Sequence, residues 1–295
     1  MWKADQWREY ELLDTSDGER LERWGKYILV RPDPQIIWKD ARRDSRWKRP
    51  DAAYRRSSGG GGAWRENKLP ESWELPYESL GLHFVIKPMG FKHTGLFPEQ
   101  AVNWEWFSRL IAEEAAHRDA EHPVKVLNLF GYTGGATVAA AKAGAAVCHV
   151  DAAKGMVQQC KDNARLCGLA DAPIRYIVDD CKKFVEREIR RGNRYDAVIM
   201  DPPSYGRGPS GEVWKLEENI DGLLSLTTQV LSDNPLFFLV NSYTTGLSPS
   251  AMGYLLHLYM TPKYGGVVTS DEIGIPVTAS GAVLPCGSSS RWSRK

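Results

Sequence analysis

From residue 124 onward, short and almost wholly apolar runs alternate with longer segments of helical spacing. The apolar runs are 124–129, 146–150, 174–178, 195–200 and 236–240. Runs of this length, rich in β-branched residues and closed by glycine, proline or an acid, read as strands buried on both faces of a parallel sheet. Between them, 136–143, 154–166, 182–191 and 216–231 read as helices, and 249–260 follows the fifth run as another. Two shorter runs, 267–269 and 282–284, flank the turn-rich stretch 271–281 and read as a closing antiparallel hairpin. The expected fold is α/β: a Rossmann-like seven-stranded sheet, mostly parallel with one antiparallel strand, flanked by helices.

Residues 1–97 break this rhythm. Runs 27–30, 35–38 and 82–86 are strand-like and are separated by turn signals such as Asp17-Gly18 and Pro32-Asp33-Pro34. A small β-rich N-terminal domain over 1–97, joined to a second domain over 98–295, is the expected organisation. Pro98 and Glu99 are helix-opening chemistry, and a helical pattern with Val102, Trp106, Leu110 and Ile111 apolar follows them.

Charge alters this picture in one place. The chain of 295 residues carries a net charge of +1, which does not mark it as a nucleic-acid binder overall. Residues 39–68, however, hold ten Lys/Arg against four Asp/Glu, a local net of +6. The segment 40–64, DARRDSRWKRPDAAYRRSSGGGGAW, interleaves these cations with aromatics. It reads either as an element that grips phosphates through residues such as Arg46 and Arg55 and stacks bases on Trp47, Tyr54 or Trp64, or as a solvated surface loop. The five cysteines, 148, 160, 167, 181 and 286, lack paired spacing and read as reduced thiols. With no apolar leader, no membrane-length run and no metal-ligand spacing, the chain reads as a soluble cytoplasmic protein without membrane or metal partners.

The chemistry gathers at strand ends. In VKVLNLFGYTGGATVAAA (124–141) a strand, a glycine turn and a helix of small residues follow one another. This is the opening of a nucleotide-type site. The spacing Gly131, Gly134, Gly135 is not G-x-G-x-x-G, and no G-K-[ST] follows, so neither a dinucleotide fingerprint nor a P-loop is present. Asp151 closes the next strand, about twenty residues past the first glycine, where a carboxylate accepts from ribose hydroxyls. An adenosine-like ligand without a pyrophosphate fits this pattern, and S-adenosylmethionine is such a ligand. Asp180 closes the third strand; it can accept from an exocyclic amine, cap the helix that opens at Cys181, or do both. The fourth strand delivers Asp201-Pro202-Pro203-Ser204-Tyr205. Its prolines remove N–H donors and leave a rigid array of carbonyls and one carboxylate, suited to hold an amino group in line with an electrophilic methyl. Tyr205 can stack on a planar base, and the loop 206–214, with Arg207, reads as a lid or as an ordinary loop.

Taken together, LNLFGYTGGATVAAA, VDAAKGMVQQCKDNARLCGL, VDDCKKF and VIMDPPSY, preceded by HTGLFPEQ, resemble the class I S-adenosylmethionine-dependent methyltransferases of the large-subunit rRNA methyltransferase group. The likeness covers roughly 91–286. It implies that Phe130, Gly131, Tyr132, Thr133, Gly134 and Gly135 cradle the methionine part of the cofactor. Asp151, with Ala152 after it, would hold the ribose, and Asp180 and Cys181 the adenine. Asp201, Pro202 and Pro203 would border the target atom, and Phe97 and Gln100 would close over the cofactor. Two departures bear on substrate. Members that methylate cytosine C5 need a nucleophilic cysteine, whereas Ser204 and NSYTTG (241–246) supply no thiol, so a nitrogen target is expected. Ala101 stands where an arginine often follows the HTGLFPEQ-type loop. The expected function is methylation of an RNA base, rRNA first, with a flipped base near Tyr205 and the stretch 42–65 holding the backbone. Methylation of a protein or small molecule, and a non-catalytic module that binds the cofactor or RNA, are the alternatives. The Asp-Pro-Pro corner argues against the last.

Overall fold

The computed structural model describes residues 1–57, 61–207 and 213–294. They form two compact units, Asn103–Ile273 with Gly287–Lys295, and Trp2–Val102 with Gly274–Cys286. The segment Gly274–Cys286 thus groups with the N-terminal unit, across the division expected at 97/98.

The main sheet has the strands β1 (Lys125–Leu129), β2 (Ala146–Asp151), β3 (Ile174–Val178), β4 (Ala197–Met200), β5 (Phe237–Ser242), β6 (Val267–Pro276) and β7 (Val283–Ser293), all in the larger unit except the ends of β6 and β7 that fall in Gly274–Cys286. Their order is β3-β2-β1-β4-β5-β7-β6. Strands β1 to β5 are parallel, and β7 runs antiparallel to β5. The order reverses between β1 and β4, the switch point at which open α/β sheets bind ligands beyond the carboxyl ends of their strands. Register makes those ends coincide. Leu129 pairs with Val150 on one side and with Met200 on the other, so Phe130, Asp151 and Asp201 follow at one edge of the sheet.

Burial explains why the apolar runs were legible. Val126, Leu127, Leu129, Val198, Met200, Phe237, Phe238 and Val240 are all fully buried. Each contributes about 1.5–3 kcal/mol of transfer free energy. The closing hairpin is much longer than the two three-residue runs suggested. β6 has ten residues and β7 eleven, and Ser288, Ser289, Ser290 and Arg291 in β7 are buried although polar. They are tolerated because they are hydrogen-bonded. Ser289 Oγ donates to Asn241 Oδ1 (2.7 Å), and Arg291 Nε and Nη2 donate to Asn103 Oδ1 (2.9 and 2.7 Å).

The N-terminal unit holds a five-stranded sheet in the order Tyr10–Ser16, Glu19–Trp24, Tyr27–Pro32, Ala52–Arg56, Gly62–Arg65, and a two-stranded sheet of Trp73–Tyr77 and Leu82–Ile86. Asp17 and Gly18, both at positive φ, turn the first hairpin. The expected strand at 35–38 does not form. Pro32 and Pro34 remove ladder donors, and Asp33 Oδ1 accepts from the Gln35 N–H (3.1 Å), folding a turn instead. At the core, buried Glu22 accepts from Arg31 Nε (2.6 Å), Arg31 Nη2 (2.7 Å) and Tyr10 Oη (2.9 Å). Burial pushes the Glu22 carboxyl up, but Arg31 and Arg20 outweigh it and hold the group at about 2.

Candidate active site

The glycine turn between β1 and the helix Gly135–Lys142 is shaped by packing as much as by torsion. A Cβ on Gly131 would lie 2.4 Å from the His149 ring, one on Gly134 2.1 Å from Cys160 Sγ, and one on Gly135 2.8 Å from the Trp104 ring. Of the three glycines only Gly134 also needs a left-handed backbone, at φ +85°. Phe130 and Tyr132 themselves adopt φ +57° and +50°. Two non-glycine residues so close together in this region store strain, of the kind concentrated at functional sites. The surrounding bonds that hold them are explicit. Phe130 N–H donates to Cys181 Sγ (3.3 Å), Gly131 N–H to the Val150 carbonyl (3.0 Å) and Tyr132 N–H to Asp151 Oδ2 (2.8 Å). Thr133 is buried, and its carbonyl accepts from Asn163 Nδ2 (2.8 Å).

Below the turn lies a buried polar chain that periodicity did not reveal. Asn128 Nδ2 donates to Thr137 Oγ1 (2.8 Å), whose hydroxyl is 2.8 Å from His149 Nδ1. Burial lowers the His149 pKa to about 4, so the ring is neutral and serves as packing beneath Gly131.

Asp151 ends β2 with one backbone donor on each carboxylate oxygen, Tyr132 N–H on Oδ2 and Ala153 N–H on Oδ1 (2.8 Å each). Each oxygen can accept a further hydrogen bond. Ala152, exposed, follows directly. Asp180 is exposed and caps the helix Cys181–Arg191 through Oδ1, which accepts from Lys183 N–H (2.9 Å). Cys181 is buried, and desolvation pushes its thiol up to about 12. The same cause raises Cys148 to about 11 and Cys160 to about 12, and lifts buried Cys286 well above the usual thiol range.

At the tip of β4, Pro202 is buried, Pro203 exposed and Tyr205 54 % exposed. Tyr205–Arg207 pairs antiparallel with Val213–Lys215, in the register Tyr205 to Lys215. Two bonds clamp this corner. Trp214 Nε1 donates to the Pro203 carbonyl (2.6 Å), and Leu216 N–H donates to the Ser204 carbonyl (3.0 Å). The Trp214 ring also lies 6.5 Å from that of Phe130, at 42°. One side chain therefore packs near the glycine turn and bonds the diproline corner. The Pro203 carbonyl of the array expected from the sequence thus already holds one donor and keeps a second lone pair. Only the position of Trp214, at the edge of a glycine-rich loop after an Asp-Pro-Pro turn, hinted at it. Residues 208–212 of the expected lid lie outside the described residues.

The other sequence-selected residues belong to the N-terminal unit. Gln100 is buried within the turn Pro98–Gln100, and the Phe97 ring, just before it, lies 5.4 Å from that of His93. Base stacking on Trp47 and Tyr54 is overturned. Both are buried, and Trp47 Nε1 donates to Asp14 Oδ2 (2.8 Å). Arg46 is chelated by Asp44, with Nη2 to Oδ2 at 2.6 Å, and Arg55 is paired with Glu19.

A strand tip carrying an acid, a strained glycine turn and a second acid on a diproline corner lie side by side in one sheet. A family model described as S-adenosylmethionine-dependent methyltransferase matches residues 21–218. The chain belongs to this methyltransferase family. A solved structure of a SAM-dependent methyltransferase from Agrobacterium tumefaciens is 38% identical, with a TM-score of 0.89, over 100% of this chain and 93% of that one. A candidate SAM-dependent methyltransferase from Streptococcus mutans, 20% identical with a TM-score of 0.72 over 98% and 76% of the two chains, shares the fold. Ribosomal RNA large subunit methyltransferase K/L of Shewanella frigidimarina is 29% identical over 176 residues, which are 59% of this chain and 23% of that protein. The chain thus spans about a quarter of the length of the curated relatives it matches. Among the described residues, no helix is long and apolar enough to cross a membrane.

Proposed function

We propose that this methyltransferase family member transfers the methyl group of S-adenosylmethionine to a nitrogen of an RNA base. The observation that carries the reading is the alignment of Asp151, the Phe130–Gly135 turn and Asp201-Pro202-Pro203 at adjacent ends of β2, β1 and β4. The donor set fits the cofactor. The spare lone pairs of Asp151 suit a ribose diol, exposed Asp180 at the next strand end suits an exocyclic amine, and the strained turn suits the amino-acid end. Bound there, S-adenosylmethionine supplies an electrophilic methyl carbon.

The protein's part is to orient and to accept a proton. With the cofactor held there, a base nitrogen at the diproline corner would take the methyl group, the carbon–sulfur electron pair would remain on sulfur, and Asp201 would accept the proton that the nitrogen loses. Trp214 fixes the Pro203 carbonyl and so the direction in which the corner faces. Among the described residues all five thiols are buried, which supports nitrogen over a cysteine-activated ring carbon. The RNA substrate is supported by the names of the ribosomal RNA methyltransferase relatives at about 30% identity and by the basic stretch 39–68.

The test is transfer of labelled methyl from S-adenosylmethionine to bulk RNA, followed by nuclease digestion and mass spectrometry of the nucleosides. An N-methylated base supports the reading. A C5-methylated cytosine overturns the nitrogen target, and label appearing only in protein or small molecules overturns the RNA substrate.

A further inference from the structure

The ten cations between 39 and 68 fall into two classes once their partners are counted. Lys39, Arg42, Arg43, Arg46 and Arg55 each form an ion pair, with Asp17, Glu19, Asp40, Asp44 and Glu19 in turn. Lys48, Arg49, Arg65 and Lys68 are exposed and have no carboxylate within 4 Å among the described residues. Arg56 is likewise exposed and without such a pair, but it lies at the opposite end of its strand, facing Gly62.

The four are brought together by backbone structure. Lys68 N–H donates to the Asp51 carbonyl (3.0 Å), Arg65 pairs across the sheet with Ala53, and Lys48 and Arg49 lie three and two residues before Asp51. The acids at this place are Asp51 and Glu66. The Asp51 carboxylate is half-buried and accepts from the Ile28 N–H (2.8 Å), while Glu66 is exposed and pairs with none of the four within 4 Å. Within these segments four cations stand against two carboxylates, one of which is bonded to the protein's own backbone.

We propose that Lys48, Arg49, Arg65 and Lys68 form a phosphate-contacting face for single-stranded RNA, and that Arg46 and Arg55 do not contribute to it. This rests on the RNA reading above. A cation already bonded to a carboxylate must give up that bond to meet a phosphate, so its net gain is small. An exposed cation without such a bond releases the condensed counterion of the phosphate at no such cost. The face lies wholly within the N-terminal unit.

The experiment measures fluorescence anisotropy of a labelled single-stranded RNA of mixed sequence, from 50 to 200 mM salt, with the full chain. In the quadruple variant Lys48→Ala/Arg49→Ala/Arg65→Ala/Lys68→Ala, the slope of log affinity against log salt should fall by about 3, at about 0.7 per contact. Over that salt range, wild-type affinity should then drop about 50-fold more than the variant's. The double variant Arg46→Ala/Arg55→Ala should change the slope by less than about 1. Each of the four single variants should lower it by about 0.7, which keeps the test open if the quadruple variant unfolds. An unchanged slope in the quadruple and single variants overturns the proposal, as does an equal loss in the double variant. Binding to poly-glutamate that is lost in the quadruple variant while RNA binding persists would assign the face to a protein partner and also overturn it. Absence of RNA binding by the wild type would instead sink the RNA reading on which the proposal stands.

Discussion

Replacing Trp214 by phenylalanine isolates one hydrogen bond of the site. The substitution removes the indole N–H that reaches the Pro203 carbonyl at 2.6 Å and keeps an aromatic ring facing Phe130. Trp214 is only half-buried and Pro203 is exposed, so water can replace the lost donor. The net cost therefore belongs at the modest end, about 1 kcal/mol. If that bond is what aims the Asp201-Pro202-Pro203 corner, the loss appears in the turnover step as roughly a 5-fold fall in kcat. Cofactor affinity should stay within about 2-fold, because the Phe130–Gly135 turn and Asp151 keep every bond described above. Thermal midpoint should fall by no more than about 2–4 °C. The assay pairs single-turnover methyl transfer with calorimetric titration of S-adenosylmethionine and hydrogen exchange across 201–207. Unchanged kcat, together with unchanged exchange in that segment, would refute the positioning role. An equal loss of cofactor affinity would show that Trp214 acts on the glycine turn instead.

Three further expectations concern the scaffold. Asp151→Ala removes the acceptor for Tyr132 and Ala153 as well as for the ribose, and should weaken S-adenosylmethionine binding roughly 10- to 100-fold by titration; unchanged affinity would undo the ribose assignment. Gly134→Ala puts a Cβ 2.1 Å from Cys160 Sγ at φ +85°, and should cost about 2–5 kcal/mol in denaturant unfolding. Adding Cys160→Ala should restore only part of this, because the torsion and the Cys160 Cβ at 2.8 Å remain. Glu22, held at about 2 by Arg31 and Arg20, is depressed from an ordinary value of 4.5. Its stabilising contribution, about 3 kcal/mol, is present above pH 4.5 and lost as pH falls towards 2. Acid titration of Glu22→Gln should lack that part of the pH dependence, and an identical acid profile in the two proteins would rule the pair out as its source.

Much of the site was legible because its residues follow strand ends, and strand ends are where apolar runs stop. Asp151, Asp180 and Asp201 were picked out in this way, and the structure places each at or just past a strand end. The reason for those glycines was not legible. That Gly131 is needed beneath the His149 ring, and Gly134 beside Cys160, depends on residues 15 to 30 positions away. The basic stretch shows the same limit. Composition reveals ten cations between 39 and 68, but which of them are already paired depends on Asp17 and Glu19 as well as on Asp40 and Asp44.

By itself the sequence determined the local elements and the chemistry at their ends, since hydrophobic period, proline and glycine act within a few residues. Tertiary structure alone decided the strand order β3-β2-β1-β4-β5-β7-β6, which makes three acid-bearing or glycine-bearing tips neighbours. It also decided that Trp47 and Tyr54 are core rather than stacking surface, that polar Ser289 and Arg291 extend a buried strand, and that Trp214 spans the two halves of the site. These outcomes share one physical cause. A buried polar or aromatic group is permitted only where distant parts of the chain supply its partner, and no local pattern records where that partner is.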